Sequence, residues 1–291
     1  MAEFLGRVRA TLILTGFVIY TLSCLPFQYL LHVLKLRARY WLPMVFHRVL
    51  CRYLGIRIRV RGEVVKGRPV LMVANHSSYF DIPVLATITE LSFVAKSEVA
   101  SWPGVGLMAK AQNTVFVERE RRSKAAEQRN EIQRRLANNE TLVLFPEGTS
   151  HDGNTVLPFK SALMAAAQWN KEDAEKREPI LVQPVSVAYT CLHGLPMGRQ
   201  YRPLFTWYGD MPFGSHVFKS FVQGPFDVDI IVHPPVTLEE LGSRKKLADY
   251  CWRVVSSGLG HSLAGRDGMP PPIPKAVEEK PTDAPAAVPA Q

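Results

Sequence analysis

An uncharged apolar run near the N-terminus constrains this chain more than any other feature of its sequence. Between Thr11 and Leu34 no residue is Asp, Glu, Lys or Arg, and almost every side chain is apolar. A helix needs roughly 20 such residues to cross a bilayer, so the run predicts a membrane-embedded helix. Pro26 interrupts it, which leaves a kinked span and a re-entrant helical hairpin as alternatives. A buried core helix is a third interpretation, whereas the length of the run argues against a cleaved signal peptide.

Basic residues flank the apolar run on both sides. Arg7 and Arg9 precede it, and a denser group follows it, comprising Lys35, Arg37, Arg39, Arg48, Arg52, Arg57, Arg59 and Arg61. Because the cytoplasmic flanks of membrane helices are enriched in Lys and Arg, we expect the chain to face the cytoplasm from the inner membrane. The same cations would attract anionic headgroups, unless they form an ordinary solvated face.

The formal net charge of +9 indicates a polyanionic partner, such as nucleic acid, an anionic membrane surface or an acidic carrier protein. The four cysteines form no C-x-x-C pair, which argues against a zinc site and a disulfide framework. No zinc pattern, aromatic RNA-binding strand or basic zipper is present. We therefore expect no nucleic acid partner, no metal and no cofactor.

Short apolar segments alternate with helical patterns from Ile56 onward. Strands are predicted at residues 56–60, 69–74, 91–95, 114–117, 141–145, 180–188 and 227–232. Helices are predicted at residues 81–88, 123–137, 161–169 and 243–255. This alternation is typical of an α/β domain with a mixed, mostly parallel sheet flanked by helices.

The chain divides into three predicted parts. Residues 1–40 would form the membrane anchor, as a helix or a hairpin, and residues 41–262 the α/β domain. Residues 263–291 are rich in Pro and Ala and are predicted to be a disordered tail.

A polar turn follows the strand that is predicted to end at Ala74. It reads N-H-S-S-Y-F-D over residues 75–81, and α/β folds place ligand sites beyond the carboxyl ends of strands. His76 and Asp81 predict a dyad, in which the carboxylate fixes the imidazole tautomer and raises the basicity of the free nitrogen. No G-x-S-x-G elbow is present, so His76 would activate a substrate hydroxyl. The alternative is a turn histidine with satisfied hydrogen bonds beside a helix-capping Asp81.

A second polar turn follows the strand predicted at residues 141–145. It reads F-P-E-G-T-S over residues 145–150. Gly148 permits a close backbone approach or a positive φ, and Glu147 places an acid at a strand end where structure alone rarely needs one. The alternative is a simple Pro-Gly turn.

Together, N-H-x-x-x-x-D and the later F-P-E-G-T resemble the paired motifs of the glycerolipid acyltransferase family, which includes 1-acyl-sn-glycerol-3-phosphate acyltransferases and bacterial lyso-ornithine lipid acyltransferases. Two weaker blocks are similar to the family's headgroup and acyl-pocket blocks: V-F-V-E-R, which ends at Arg119, and V-Q-P-V-S over residues 182–186. The resemblance covers residues 49–236. It implies a membrane-bound enzyme that transfers an acyl chain to the free hydroxyl of a lysolipid.

The resemblance also implies a role for each site residue. His76, oriented by Asp81, would deprotonate the acceptor hydroxyl, which attacks an acyl thioester without a covalent acyl-enzyme. Lys96, which closes a predicted strand, is our candidate donor to the tetrahedral oxyanion, and a surface lysine is the alternative. The residues expected to bind the acceptor are Glu147, Gly148, Thr149 and Arg119.

Two positions depart from the pattern of lysophosphatidate-forming members. Many of these read F-P-E-G-T-R, with an Arg that suits a phosphate monoester, but here the position is Ser150. Asn113 likewise stands where a Gly is common. The missing Arg favours lyso-ornithine lipid as the acceptor. Lysophosphatidate, which would give phosphatidic acid, remains the alternative because Arg119 and Lys160 are close in sequence.

A basic run over residues 119–135 suits the acidic surface of acyl carrier protein or the phosphates of coenzyme A, either of which would carry the acyl donor. Its alternative is a solvated helix face balanced by nearby glutamates. Two rival functions also stand beside the acyltransferase: a hydrolase that uses His76 and Asp81 on water, and a non-catalytic membrane scaffold.

Overall fold

Two N-terminal helices precede the α/β domain. The computed structural model describes residues 1–118 and 125–275. Helix α1 spans Ala2–Val33 and helix α2 spans Ala38–Tyr53. Helix α1 is long and apolar enough to cross a membrane, with a mean hydropathy of 1.8 in an apolar window of which 11% is buried. So small a buried share argues against the interpretation of a core helix.

The helix continues through Pro26, so of the two alternatives at that residue the structure has a continuous helix and no reversal. The chain reverses later, at residues 34–37, and α2 packs back on α1. A proline inside a helix removes a single backbone hydrogen bond, which neighbouring groups can offset. The helical pair therefore extends to Tyr53, past the expected end of the anchor at residue 40.

Eight strands form one sheet in the described part of the chain. They are β1 (Ile56–Arg61), β2 (Val70–Ala74), β3 (Ser92–Lys96), β4 (Val115–Val117), β5 (Thr141–Leu144), β6 (Leu181–Leu192), β7 (Leu195–Pro196) and β8 (Phe226–Val232). Their order is β1-β8-β6-β2-β5-β3-β4, with β7 paired to β6. The pairs made by β2, β3, β4 and β5 are parallel, whereas β6 and β8 are antiparallel. The mixed, mostly parallel α/β fold is thus confirmed.

Helices cover both faces of the sheet. They are α3 (Asp81–Leu85), α4 (Val105–Ala111), α5 (Ala125–Ala137), α6 (Lys171–Ala174), α7 (Phe213–Gln223), α8 (Leu238–Leu241) and α9 (Arg244–Leu263). Strand β2 shows why both faces are apolar, because Leu71 and Val73 point into one core cluster while Met72 and Ala74 point into the other. All five residues of β2 are buried, as expected of a central parallel strand.

Several predicted elements differ in detail from those observed. Residues 161–169 do not form the expected α-helix, because the chain makes only a short 3₁₀ helix at Leu163–Ala167. Helix α3 ends at Leu85 rather than Ile88, and its N-cap is Phe80, so the prediction of Asp81 as a side-chain cap is wrong. Residues 119–124, which include Arg119 and the start of the helix predicted at 123–137, lie outside the described residues, as does the tail from residue 276.

Some of the basic residues expected at the membrane surface have partners within the protein. Arg9 donates to the carbonyls of Phe221 and Val222 at the end of α7, at 3.0 and 2.8 Å. On the edge strand β1, Arg59 contacts Asp229 at 2.8 Å, and Arg61 forms an ion pair with the same carboxylate. These side chains therefore tie elements together, which limits their contribution to a free cationic surface.

Helix α9 approaches the sheet closely at one glycine. A Cβ built on Gly258 would overlap the hydroxyl of Ser186 and lie 2.6 Å from Nε2 of His233. These two buried side chains are hydrogen-bonded to each other at 2.8 Å. Two residues along the same helix, a Cβ on Gly260 would meet no atom within 4 Å.

This contrast predicts that the change from glycine to alanine has opposite effects on the free energy of unfolding at these two positions. Gly258→Ala should lower the free energy of unfolding by about 1–3 kcal/mol, because overpacking forces buried atoms apart. Gly260→Ala, the matched control, should raise it by about 0.5–1 kcal/mol, because alanine favours a helix more than glycine does. Chemical unfolding of the purified protein in detergent measures both. Equal effects of the two substitutions would contradict the packing of α9.

Candidate active site

His76 lies in the turn between β2 and α3. Its Nδ1 contacts Oδ2 of Asp81 at 2.8 Å, so the dyad contact predicted from the spacing is present. The carboxylate of Asp81 is fully buried, while the histidine side chain keeps 25% of its surface exposed. Because an ionised carboxylate only accepts hydrogen bonds, this contact favours the neutral imidazole that carries its proton on Nδ1 and leaves Nε2 unprotonated.

Asp81 is held by three further hydrogen bonds. The backbone N–H groups of Ser77 and Ser78 donate to Oδ2 at 2.7 and 2.9 Å, and the hydroxyl of Tyr189 donates to Oδ1 at 2.7 Å. Burial, and then the neighbouring charge of Asp81, hold the pKa of Tyr189 well above its usual value, so the phenol remains a donor. Sequence reasoning missed Tyr189, since it lies on β6, far along the chain.

The imidazole ring also has an aromatic support. The rings of His76 and Phe145 stack with centroids 4.2 Å apart and an interplanar angle of 19°. Phe145 is the first residue of the second motif, and its contact with the histidine was not predicted. The stacking contact with Phe145 and the hydrogen bond to Asp81 together hold the orientation of the imidazole ring.

The second turn is tied to the first through Glu147. Its Oε1 accepts from the backbone N–H of His76 at 2.7 Å, and Oε2 accepts from that of Leu157 at 2.8 Å. The side chain is 2% exposed. Burial raises the pKa of this carboxyl to about 7, although the two backbone hydrogen bonds act in the opposite direction. Glu147, expected to position the acceptor, is therefore placed behind His76 with both oxygens engaged.

Main-chain contacts bring three more segments to His76. The carbonyl of His76 accepts from the backbone N–H of His151 at 3.0 Å, and that of Ser77 accepts from Trp207 at 2.8 Å. The amide of Asn75 donates to and accepts from the main chain of Val187, at 2.9 and 2.8 Å. The side chain of Asn75, the first residue of the motif, thus binds the main chain of β6 just beyond the end of β2.

His76 opens onto one large cavity of about 980 Å³. The cavity runs between the N-terminal helices and the α/β domain, and most of its lining is apolar, with Phe17, Phe46, Phe93, Met108, Phe145 and Phe221 among its walls. Gly148, Thr149 and Ser150 line it too, and Gly148 has a positive φ of 78°, as its position in the turn predicted. Glu147 is not among the described residues of the lining.

Of the two cationic residues predicted in the site, the structure describes only one. Lys96 closes β3, is exposed and lines the cavity. Arg119 lies outside the described residues. Within residues 1–118 and 125–275, no group of three or more His, Cys, Asp or Glu side chains could hold a metal ion.

The raised pKa of Glu147 predicts a pH dependence of stability. The folded state holds this proton up to a pH of about 7, whereas an unfolded glutamate loses it near its ordinary pKa of 4.5. The folded state therefore binds more protons between these values, and the free energy of unfolding should fall as pH rises through this window. Glu147→Gln should remove this component of the slope. Chemical unfolding at pH 5 and pH 8 compares the two proteins, and an equal slope in both would contradict a buried, proton-binding Glu147.

Comparisons with known proteins agree with this geometry. Residues 57–188 match the family described as Acyltransferase. The chain is 43% identical over 263 residues to a lyso-ornithine lipid O-acyltransferase of Brucella abortus (strain 2308), which covers 90% of this chain and 98% of that protein. It is 40% identical over 285 residues to a lyso-ornithine lipid O-acyltransferase of Rhizobium meliloti (strain 1021), covering 95% and 96%.

A solved structure extends the similarity to the fold. The crystal structure of the 1-acyl-sn-glycerophosphate acyltransferase PlsC from Thermotoga maritima matches with a TM-score of 0.63 and 26% identity, covering 92% of this chain and all of that one. The family expected from the two motifs is therefore confirmed. The chain belongs to the acyltransferase family, as an enzyme that acylates lysolipids.

Proposed function

We propose that this enzyme transfers a fatty acyl chain from an acyl thioester to the free hydroxyl of lyso-ornithine lipid, which yields ornithine lipid. The observation that carries the proposal is the dyad of His76 and Asp81 at the wall of an apolar cavity. The cavity volume lies near the top of the range of about 300–1,000 Å³ that is usual for ligand sites. The names of the two bacterial relatives support the ornithine headgroup.

His76 acts as general base in the proposed reaction. Its Nε2 removes the proton of the acceptor hydroxyl, and the oxygen attacks the thioester carbonyl to form a tetrahedral intermediate. The carbon–sulfur bond then breaks, and the thiolate leaving group accepts the proton from the imidazolium. Asp81 stabilises the imidazolium between these steps. Lys96, on the cavity wall, is our candidate partner for the oxyanion.

The two turns would position the acceptor. Gly148 and Thr149 line the cavity beside His76 and would contact the acceptor directly. Glu147 would act through the main chain, because its carboxylate joins the backbone of His76 to that of Leu157. Arg119, which lies outside the described residues, remains our candidate for a headgroup contact.

A second acceptor, lysophosphatidate, is favoured by the similarity to PlsC of Thermotoga maritima. Against it stands Ser150, which lines the cavity without a charge. A phosphate dianion in a half-enclosed site gains most from a bidentate Arg at such a position. This balance favours the ornithine headgroup.

Helix α1 would anchor the enzyme in the inner membrane, with the domain at residues 41–262 on the cytoplasmic side. The acyl donor would be acyl carrier protein or coenzyme A, because both are acidic and would be attracted by the basic run at residues 119–135. Residues 263–291 would form a tail outside the catalytic domain. Deletion of residues 1–35 followed by membrane fractionation would show whether α1 is the anchor.

His76→Ala should abolish acyl transfer, since loss of a general base costs about 10²–10⁴ in rate. Asp81→Asn should reduce the rate strongly but less completely, and Tyr189→Phe less again, because the imidazole remains while its orientation weakens. A radiolabelled acyl-transfer assay on membranes measures all three. If His76→Ala retained more than about a tenth of the wild-type rate, His76 would not be the general base.

Ser150→Arg tests the acceptor. An added Arg should raise kcat/KM for lysophosphatidate relative to lyso-ornithine lipid by about ten- to a hundredfold, if it forms a charge-assisted hydrogen bond worth about 1.5–3 kcal/mol. Both acceptors must be compared at one salt concentration, because exposed charges are screened. Wild-type enzyme that already prefers lysophosphatidate would return the function to phosphatidic acid synthesis, with the role of His76 intact.

A further inference from the structure

Three charged side chains, apart from histidines, lie on the described wall of the cavity. They are Lys96, Glu98 and Asp210. All three are exposed at its rim rather than buried in its apolar interior. The rim therefore presents one cation and two anions to whatever headgroup remains outside the apolar part of the cavity.

The segment that carries Asp210 is hydrogen-bonded to the turn that carries His76. The backbone N–H of Trp207 donates to the carbonyl of Ser77, the neighbour of His76, at 2.8 Å. The indole N–H of Trp207 donates to the carbonyl of Met211 at 2.8 Å, which closes the turn that contains Asp210. The backbone at Asp210 is thus connected to the turn of His76.

Glu98 lies on a second segment that meets the first. It belongs to the 3₁₀ helix Ser97–Ser101, which is followed by Trp102. The rings of Trp102 and Trp207 contact each other edge to face, with centroids 6.1 Å apart. The two segments that carry Glu98 and Asp210 therefore meet at this tryptophan pair, and all four residues line the same cavity.

Neither carboxylate is neutralised within the part of the chain that the structure describes. Among those residues, Glu98 and Asp210 form no ion pair and their carboxylates accept no hydrogen bond. Unpaired anions at the entrance of a site attract a cationic group and repel a phosphate dianion. Lys96, on the same wall, is assigned above to the oxyanion, so the two anions are the charged groups left to contact a headgroup.

We propose that Asp210 and Glu98 bind the ammonium of the acceptor headgroup and so select a lysolipid that carries an ammonium. The inference rests on the proposed function and deepens it. Lyso-ornithine lipid has the required chemistry, since its α-nitrogen is in the amide and its side-chain ammonium and α-carboxylate are free. Lysophosphatidate offers no cation to these two side chains.

The test compares two acceptors that differ only in the ammonium: lyso-ornithine lipid and its analogue with an acetylated side-chain nitrogen. In wild type, kcat/KM should favour the free ammonium by about tenfold, and Asp210→Asn with Glu98→Gln should remove that preference. The loss should come from KM while kcat is retained, because the ammonium takes no part in the bonds that form and break. Added salt should weaken the wild-type preference.

Glu239→Gln is the matched control. It removes the same charge from an exposed side chain on α8 that is not among the described residues of the cavity wall, and it should leave the acceptor ratio unchanged. An unchanged ratio in the double variant, with wild type acylating lyso-ornithine lipid, would overturn this inference and leave the proposed function standing. Acylation of lysophosphatidate alone by wild type would overturn both. Equal thermal unfolding midpoints would exclude misfolding as the cause of any loss.

Discussion

The buried carboxylate of Asp81 is the constraint on which the rest of the site depends. A charge with no exposure to solvent is costly, and the cost is offset only where its oxygens are fully hydrogen-bonded. Asp81 has four donors: two backbone amides, the phenol of Tyr189 and Nδ1 of His76. Three of these donors lie in one turn, so the carboxylate shapes the turn and orients the imidazole at once. The hydrogen bond to Asp81 engages Nδ1, so Nε2 is the ring nitrogen left without the carboxylate.

The sheet explains how distant segments reach this carboxylate. Strand β2 pairs with β5 and β6 in parallel, so the carboxyl ends of all three lie at one edge. The turn after β2 supplies His76, the turn after β5 supplies Glu147 and Gly148, and β6 supplies Tyr189. The N-terminal helices then close the cavity in front of this edge. Most of the cavity lining is apolar, which suits an acyl chain.

Local patterns in the sequence predicted the parts of the structure that depend on neighbouring residues. The strand periods, the fold class and the contact between His76 and Asp81 follow from residues close in sequence. Tyr189 could not be predicted, because only the pairing of β6 with β2 brings it to Asp81. The role of Glu147 was also hidden, since a motif identifies the residue type but not whether the side chain faces ligand or backbone. The α-helix predicted at residues 161–169 was also wrong. Its apolar residues are buried in the core, as the pattern indicated, but the backbone there is a short 3₁₀ helix.

The central claim is that Asp81 holds His76 as the tautomer with its proton on Nδ1. The most direct measurement is ¹⁵N NMR of histidine-labelled enzyme in detergent, with His76 assigned among the eight histidines by comparison with His76→Gln. We predict that the neutral imidazole of His76 carries its proton on Nδ1, and that Asp81→Asn shifts the balance toward Nε2. A neutral His76 with its proton on Nε2 in wild type, or the same tautomer balance in both proteins, would contradict the account.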